Sequence, residues 1–535
     1  MFSPLILTCF IISLLCVTVN MVAEYSRDLM MMQQNSYRNE RYRRWLKSSG
    51  DTTSYSRLIG LCVALLSLVD FGSELWGMGL MAVFAAGNAF SLLTRKYKKP
   101  LVWTNRVKRI FSTMIVLSVL AEGAVAAVVC ATSGAGAVMF ALAVGATFLY
   151  CGSHIIVMGA VALLGPVEKA INRKYYNEAA EILRSIPDLK VIGVTGSYGK
   201  TSTKHYLERI LSEHFDVLMT PGSFNTTLGV IRTVREMMKP YTEVFICEMG
   251  AKQLHDIEEI CDLVHPQIGI VTAVGPQHLE SFKTIENVQR TKFELVDSLP
   301  ADGLAVVNND FPMIAGRRVD NTVCLRYGVA ASEGLDFKAV DVSYTPQGTT
   351  FAVVGNGVRL DLRTSLVGEC NVSNLVAAVV VAMHLGVPED KIRYAVEKIE
   401  QVEHRLNMKR TPAGINIIDD AYNSNPTGSA MALDVLASMT PGRRFVITPG
   451  MIELGEKQYE LNRSFGEKIG RSVDVAIVVG DYNKEAILEG IGNAGNPDLE
   501  VLTAATFAEA QSMMVARAKA GDTVLYENDL PDTFK

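Results

Sequence analysis

Apolar residues are distributed differently in the first third of the chain and in the rest. Long apolar runs cover about residues 4–23, 58–93 and 110–163. One membrane span takes about 20 residues, so the second and third runs are each long enough for two, and polar or glycine-rich stretches at 70–74 and 133–137 divide them. This pattern predicts five transmembrane helices, one single span followed by two hairpins. The first arm of the first hairpin is short, which also fits a re-entrant segment.

Basic residues give the predicted orientation of these helices. They cluster between the first span and the first hairpin and again between the hairpins, and they comprise Arg27, Arg38, Arg41, Arg43, Arg44, Lys47, Arg57, Arg95, Lys96, Lys98, Lys99, Arg106, Lys108 and Arg109. Such loops stay on the cytoplasmic side, so we expect the N-terminus outside and everything after about residue 165 in the cytoplasm. No basic residue precedes the first run, unlike a secretory signal, which predicts an uncleaved helix in a multi-pass cell-membrane protein. The basic blocks disfavour the alternative, a soluble domain with buried helices.

From residue 190 onward, short apolar runs alternate with amphipathic, helix-like stretches. The predicted strands are 191–195, 243–248, 268–273 and 304–307. Strands that alternate with helices predict a parallel sheet, and the glycine-punctuated stretch at 337–365 predicts an antiparallel excursion. A second alternation predicts a separate Rossmann-like domain, with strands at 415–420, 444–448, 475–480 and 523–526.

Composition narrows the classes of function. The 535 residues carry a net charge of −5 without an aromatic-basic stripe, so nucleic acid is not an expected partner. The nine cysteines are scattered singly and form no C-x-x-C pair, which argues against a disulfide framework and a zinc site. Apolar residues make up 49% of the chain and are concentrated in its first third. A membrane part joined to a soluble part accounts for this distribution.

A glycine-rich loop follows the first predicted strand of the soluble part, and a helical pattern follows the loop. Glycines let backbone N–H groups approach phosphate oxygens at a helix N-terminus, while a lysine neutralises the phosphates and a hydroxyl holds Mg²⁺. Lys200 and Thr201 stand in those two positions. The loop predicts binding of ATP with Mg²⁺ by Thr195, Gly196, Ser197, Tyr198, Gly199, Lys200, Thr201 and Ser202.

The expected fold class is α/β, with a P-loop-containing central domain and a Rossmann-like C-terminal domain after an all-α transmembrane domain. The expected boundaries are 1–165 for the transmembrane helices, 166–189 for an amphipathic connecting helix, 190–408 for the central domain and 409–535 for the C-terminal domain.

Further candidate residues stand at the ends of predicted strands. Glu248 ends a strand, where a carboxylate can bind Mg²⁺ beside a phosphate. His278 follows a strand and a Gly-Pro turn, at the sheet end where α/β proteins bind ligands. These two residues belong to an ordered series of short motifs at 222–229, 247–251, 272–282, 289–294, 368–374, 403–406, 418–426 and 450–455.

Together with the phosphate loop, these motifs resemble the Mur ligases, ATP-dependent amide ligases of peptidoglycan precursor synthesis. The resemblance covers about residues 190–530 and is greatest to the branch that adds D-alanyl-D-alanine to a UDP-MurNAc-tripeptide. It implies that Lys200, Glu248, His278 and Lys292 are catalytic, that Thr201, Glu248, His278 and a carbamylated Lys292 bind two Mg²⁺ ions, and that Asn374, Arg405, Asp420, Tyr422 and Asn425 contact ATP. Within that set, Asn374 would contact the adenine and Asp420 the ribose.

The reaction implied by the resemblance joins a carboxylate to an amine. Transfer of the γ-phosphoryl group makes an acyl phosphate, and the amine of an amino acid or dipeptide then displaces phosphate. The C-terminal domain would carry the amine and close over ATP, excluding water. The expected partners are therefore a carboxylate substrate, an amine and membrane lipid.

The chain differs from the Mur ligase pattern at several positions. Membrane helices occupy the place of the domain that binds the UDP end of the precursor, so we expect a lipid-linked or membrane-delivered acyl substrate. Cys370 replaces a histidine, the motif at 450–455 lacks an aspartate, and Asn462 stands near a position that is often histidine. The segment 525–534 stands where the branch has a Lys-Gly-Ser motif, which leaves the amine substrate open.

Two other functions fit part of the pattern. A poly-amino-acid ligase, for example one making poly-γ-glutamate, would also work at the membrane. A membrane transporter or signalling ATPase would use the same phosphate loop, but transport needs polar residues within the spans. The predicted spans offer little beyond Asp70, Glu74 and Glu122.

Overall fold

The structure is a computed structural model of the 535-residue chain. It describes residues 4–69, 74–97, 99–133, 137–331, 333–345, 348–402, 405–421, 424–439 and 441–528. These residues form two compact units that divide between Asn172 and Arg173, and each unit is described separately.

The described residues of the first unit form helices joined by short connections, without strands. Its helices are α1 (Pro4–Gln34), α2 (Asn39–Ser49), α3 (Tyr55–Ser67), α4 (Glu74–Thr94), α5 (Asn105–Ser133), α6 (Val138–Cys151) and α7 (Ser153–Arg184), which continues into the second unit. Within the described residues, 4 of them are long and apolar enough to cross a membrane: α1, α4, α5 and α7.

Four helices of the described residues, against five predicted spans, are long enough by this measure. The short first arm of the first predicted hairpin forms the 13-residue α3. The last predicted span is divided at Gly152 into the 14-residue α6 and the longer α7. Pro166 lies inside α7, so the predicted connecting helix is not separate but continues from the preceding apolar helix. The predicted break at Asp70 lies outside the described residues.

A cluster of buried charges joins α1, α3 and the turn between α2 and α3. The Arg57 guanidinium lies 2.8 Å from Glu24 and 3.1 Å from Asp28, and Arg27 contacts Glu24 and Asp51. The three carboxylates are close enough together to hold a metal ion, but the two guanidinium groups already compensate two of the three charges. Buried charges in apolar surroundings require such partners, so the cluster has a structural explanation.

A nine-stranded sheet forms the first half of the second unit. Its strands are β1 (Lys190–Thr195), β2 (Val217–Met219), β3 (Val244–Glu248), β4 (Ile268–Val271), β5 (Leu304–Asn308), β6 (Val323–Gly328), β7 (Phe337–Thr345), β8 (Gly348–Gly355) and β9 (Val358–Thr364). The order is β2-β3-β1-β4-β5-β6-β7-β8-β9, parallel as far as β7 and antiparallel from β7 to β9. The parallel sheet and the antiparallel excursion are as predicted, whereas β2 and β6 were not predicted.

Helices cover both faces of this sheet. They are α8 (Lys200–Leu211), α9 (Thr227–Met237), α10 (Asp256–Val264), α11 (Leu279–Phe282), α12 (Ile285–Asp297), α13 (Pro312–Ala315), α14 (Glu369–His384) and α15 (Glu389–Glu397). Residues of α8, α14 and α15 form one apolar cluster with the sheet, and residues of α9, α10 and α12 form another. Burial on both faces explains the nearly continuous apolar runs of β1, β3, β4 and β5.

A six-stranded sheet forms the second half of this unit. Its strands are β10 (Asn407–Arg410), β11 (Asn416–Asp420), β12 (Arg444–Thr448), β13 (Val475–Val479), β14 (Glu500–Ala504) and β15 (Thr523–Glu527). The order is β10-β11-β15-β12-β13-β14, and every pair except β10–β11 is parallel. The helices are α16 (Pro426–Ala437), α17 (Gln458–Ser472), α18 (Lys484–Ala494) and α19 (Phe507–Val515).

This second sheet is the predicted Rossmann-like domain, with two differences. Strands β10 and β14 were not predicted, and β10 brings the start of the domain's sheet to Asn407, before the expected boundary at 409. Parallel strands align their carboxyl ends at one edge, where α/β proteins bind ligands. Thr195 and Glu248 therefore lie at one edge of the first sheet, and Asp420 and Glu527 at one edge of the second.

Candidate active site

The loop between β1 and α8 has a backbone shape that requires glycine. Gly196 and Gly199 have φ angles of +152° and +82°. A Cβ atom on Gly196 would lie 2.1 Å from the Thr272 hydroxyl, and one on Gly199 would lie 2.5 Å from Asn374 Oδ1. Both positions therefore exclude a side chain. The loop opens at the N-terminus of α8, as predicted for a phosphate-binding loop.

Side chains of the loop and of its neighbours hold the loop in place. Ser197 donates its backbone N–H to the Ala273 carbonyl at 2.8 Å and its hydroxyl to the Gly275 carbonyl at 3.0 Å. The Thr195 hydroxyl donates to the Met249 carbonyl at 2.9 Å. The Tyr198 ring packs edge-on against Phe311, with centroids 5.4 Å apart. The Thr195, Ser197 and Tyr198 side chains thus stabilise the loop, which leaves backbone groups to meet a phosphate.

Lys200 lies over the mouth of the loop. Its ammonium donates to the Gly196 carbonyl at 2.7 Å and to the Ser197 carbonyl at 3.4 Å. Burial lowers the pKa of Lys200 to about 8, with Glu248 opposing and Arg405 reinforcing the shift. Because that pKa is still above 7, the ammonium is mostly charged at neutral pH and can neutralise phosphate.

Glu248 meets the first turn of α8 from the end of β3. Its Oε1 accepts hydrogen bonds from Thr201 at 3.2 Å and from the Asn225 amide at 3.0 Å. A hydroxyl and a carboxylate side by side next to a phosphate loop are the oxygen donors that Mg²⁺ prefers. The residues present therefore fit a magnesium site, as expected from the sequence.

Lys204 also reaches Glu248, and the sequence analysis did not identify it. Its ammonium lies 2.9 Å from Glu248 Oε2 and donates to the Gly222 carbonyl at 2.6 Å, with both side chains of the pair almost fully buried. Although burial acts to raise the pKa of Glu248, the charges of Lys204 and Lys200 hold it below its ordinary value. The one available signal was spacing, because Lys204 is one helical turn after Lys200.

His278 contacts Glu453, which comes from the half of the unit that carries the second sheet. The ring Nδ1 pairs with the Glu453 carboxylate. Both residues have left-handed backbone conformations, with φ angles of +51° and +62°, which are rare for such residues and cluster at functional sites. Burial lowers the pKa of His278 below its ordinary value, with Glu453 opposing the shift. A neutral imidazole oriented by a carboxylate is typical of a metal-ligating histidine.

Lys292 is buried on α12 with only 2% of its surface exposed. Burial and the charge of Lys200 together lower the pKa of Lys292 to about 7, opposed by the charges of Glu294 and Asp256. The amine of Lys292 is therefore uncharged in about half of the protein molecules near neutral pH. An uncharged amine is the form that can react with CO₂, so the environment suits the carbamylation implied by the resemblance.

The residues expected to contact ATP lie in two places. Asn374 Oδ1 accepts a hydrogen bond from Thr203 at 3.1 Å, beside the phosphate loop. Asp420 accepts one from the Leu406 backbone at 3.2 Å, and the charge of Arg405 acts on both Asp420 and Lys200. Asn425 caps α16 by accepting from Gly428 at 2.9 Å, so its side-chain oxygen is already engaged. Tyr422 lies outside the described residues.

The fold and the glycine-rich loop are typical of the P-loop class of α/β proteins. A mainly parallel sheet carries the loop, and a Rossmann-like sheet follows it. The sequence matches the Mur ligase middle domain over residues 194–382 and the Mur ligase, glutamate ligase domain over residues 404–526. The chain belongs to the Mur ligase family. The resemblance and the fold class expected from the sequence are therefore confirmed.

Curated relatives carry the name UDP-N-acetylmuramoyl-tripeptide–D-alanyl-D-alanine ligase. The one from Mycobacterium tuberculosis (strain ATCC 25618 / H37Rv) is 30% identical over 362 residues, which are 63% of this chain and 70% of that protein. The one from Bacillus subtilis (strain 168) is 28% identical over 281 residues, which are 52% of this chain. The chain spans 60% of the length of the Bacillus protein.

Solved structures of proteins named MurF share the fold of about two thirds of this chain. The MurF ligase from Thermotoga maritima in complex with ADP aligns with a TM-score of 0.61 at 26% identity, covering 67% of this chain and 80% of that one. MurF from Acinetobacter baumannii aligns with the same TM-score of 0.61 at 27% identity, covering 67% and 77%.

Proposed function

We propose that this protein is a membrane-anchored, ATP-dependent ligase that forms an amide bond between a carboxylate and an amine in peptidoglycan precursor synthesis. The observation that carries the proposal is the convergence of Lys200, Thr201 and Glu248 on one phosphate loop. Lys292 is buried close enough to Lys200 for the two charges to interact, and His278 follows strand β4. The names of the relatives and their ADP-bound neighbour support ATP as the phosphoryl donor.

The chain's own residues divide the work of phosphoryl transfer. The backbone of 196–199 and the N-terminus of α8 bind the phosphates, and Lys200 neutralises their charge. Thr201, Glu248, His278 and a carbamylated Lys292 are the residues that would hold Mg²⁺. When bound, that ion neutralises charge on the transferred phosphoryl group.

A carboxylate oxygen attacks the γ-phosphorus of ATP and ADP leaves, which gives an acyl phosphate. This activation is needed because a free carboxylate is a poor acyl donor. The amine then attacks the acyl carbon, and phosphate leaves with the oxygen that came from the carboxylate. The contact between His278 and Glu453 brings the second half of the soluble unit to the site, where closure would exclude water that hydrolyses the intermediate. D-Alanyl-D-alanine, named for the relatives, is the first amine to test.

The test is phosphate release by the purified full-length protein with ATP and Mg²⁺. The panel combines UDP-MurNAc-peptides or lipid-linked precursors as carboxylates with amino acids or D-alanyl-D-alanine as amines. We expect release only when both a carboxylate and an amine are present, with a new amide seen by mass spectrometry. Release that needs neither substrate would contradict the proposal and favour a transporter or signalling ATPase.

The pKa of Lys292 predicts how activity depends on pH and bicarbonate. Above about pH 7 the amine is mostly uncharged and open to carbamylation, and below it the amine becomes charged and the carbamate is lost. We expect activity to fall as the pH drops from 8 to 6 and added bicarbonate to restore part of it at pH 7. Lys292→Ala should be weakly active and insensitive to bicarbonate. Equal bicarbonate responses in the two proteins would contradict a carbamylated Lys292.

We further propose that the helical unit anchors the catalytic unit at the cytoplasmic face of the cell membrane and receives a lipid-linked acyl substrate. The four long apolar helices and the basic segments between them support this placement. The test is fractionation of the full-length protein followed by labelling of single cysteines in the basic segments from either side. Labelling only from the cytoplasmic side is expected. Ordinary turnover of a soluble UDP-MurNAc-tripeptide with no gain from a lipid-linked one would contradict the lipid-linked substrate.

A further inference from the structure

Two carboxylates stand side by side at the edge of the six-stranded sheet. Asp420 ends β11, Glu527 ends β15, and the two are register partners in neighbouring parallel strands. Register partners point to the same face of a sheet, with strands about 4.8 Å apart. Two like charges in that arrangement repel each other, so the pair needs a specific reason to be there.

Glu527 lacks a compensating positive charge among the described residues. Its side chain is 1% exposed, and Oε1 accepts a hydrogen bond from the Ser424 hydroxyl at 2.6 Å. Oε2 is buried without a hydrogen-bond partner in the described part of the chain. Burial and the charge of Asp420 raise the pKa of Glu527 to about 8, opposed by the hydroxyls of Ser424 and Ser429, so a bound cation would be needed to keep the carboxylate ionised at neutral pH. The site is therefore short of a cation or a hydrogen-bond donor.

The proposed ligase reaction supplies two kinds of cation, Mg²⁺ and the amine substrate, and the residues that fit Mg²⁺ lie beside Glu248. ATP and the carboxylate substrate are both anionic, whereas an amine substrate is protonated in solution near neutral pH. Glu527 ends a strand of the six-stranded sheet, whereas Lys200, Glu248 and Lys292 belong to the half of the unit that carries the nine-stranded sheet. A group that Glu527 holds would thus belong to the end of the amine substrate away from the reacting nitrogen.

We propose that Glu527 is a specificity-determining residue that binds a cationic nitrogen at the far end of the amine substrate. The preferred acceptor is then a diamino or other basic compound rather than a dipeptide with a free carboxylate. This inference rests on the proposed ligase function and names the chemical class of its amine.

The test uses three acceptors that share the reacting D-alanyl amine and differ in charge at the far end. D-Alanyl-D-alanine carries a carboxylate there, its C-terminal amide is neutral, and N-(2-aminoethyl)-D-alaninamide carries an ammonium. With the full-length protein, ATP and the carboxylate substrate found above, we expect kcat/KM to rise from the first to the third by at least about 10-fold. A preference for the carboxylate form would overturn the inference.

Substitutions separate the inference from a structural role of the same residue. Glu527→Gln keeps the shape and should remove the preference for charge, and Glu527→Lys should invert it, in both cases through KM for the acceptor. Glu460→Gln, which removes a charge from the exposed face of α17, should leave the order unchanged and serves as the control.

Each other outcome has a definite meaning. An order of acceptors unchanged by Glu527→Gln, or an effect confined to KM for ATP, would overturn the inference, because Glu527 would then share a proton with Asp420 or contact the nucleotide. Amide formation with none of the acceptors would overturn the proposed function, and the inference with it. Because the wild-type acceptor series needs no variant, the test holds even if Glu527→Lys fails to fold.

Discussion

Replacing Lys200 with alanine is expected to lower kcat for phosphate release by about 10²–10³-fold. The ammonium lies at the mouth of the phosphate loop, where it would face the charge that develops on the transferred phosphoryl group. The backbone of the loop and the N-terminus of α8 still bind ATP in the variant, so KM for ATP should change less than kcat. Steady-state kinetics with varied ATP distinguish the two parameters.

Two further variants make the Lys200 experiment specific. Lys239→Ala removes an exposed lysine just after α9 and should behave as wild type. Lys200→Arg keeps the charge but not the compact ammonium, so it should recover only part of the rate. A Lys200→Ala protein with the wild-type kcat would show that this loop does not carry the reaction.

Replacing Lys204 with methionine is expected to destabilise the nucleotide-binding sheet by about 3–5 kcal/mol. The substitution leaves the Glu248 carboxylate buried without the ammonium 2.9 Å away, and it frees the Gly222 carbonyl from its partner. Hydrogen exchange of peptides from β3 and α8 measures this loss locally. The measurement is made in EDTA, so that no divalent cation substitutes for the lysine.

The matched variants for Lys204 test whether the buried ion pair is the cause. Lys204→Met combined with Glu248→Gln removes both charges and should recover much of the protection. Lys398→Met breaks a surface pair with Glu397, in which both side chains are more than half exposed, and should have an effect of no more than about 1 kcal/mol. Unchanged exchange in β3 after Lys204→Met would contradict a stabilising role for this pair.

The parts of the fold that the sequence predicted are those whose pattern is local. Strands β1, β3, β4 and β5 are buried on both faces and appear as continuous apolar runs. Strand β2 has only three half-buried residues, and β10 ends in exposed Lys409 and Arg410. Strand β2 is too short, and β10 too polar, to give a detectable apolar pattern. The break at Gly152 was missed because a single glycine among apolar residues gives little signal.

The site shows the same division between local and long-range information. Glycines and hydroxyls of the phosphate loop are contiguous, so their geometry followed from the motif. Lys204 has the sequence pattern of a solvated helix lysine, and its burial arises only when β3 brings Glu248 beside it. The contact between His278 and Glu453 and the position of Glu527 beside Asp420 likewise depend on chain segments that are distant in sequence. Tertiary structure, rather than local propensity, creates these contacts.

The most direct test of carboxylate activation is the fate of the carboxylate oxygen. The carboxylate substrate is labelled with ¹⁸O in its reacting group, and the phosphate released with ATP, Mg²⁺ and the amine is analysed by mass spectrometry. An acyl phosphate requires that each phosphate released carry one oxygen from the carboxylate. Phosphate whose new oxygen comes from water instead would show that ATP is hydrolysed without activating the carboxylate, and it would contradict the ligase mechanism.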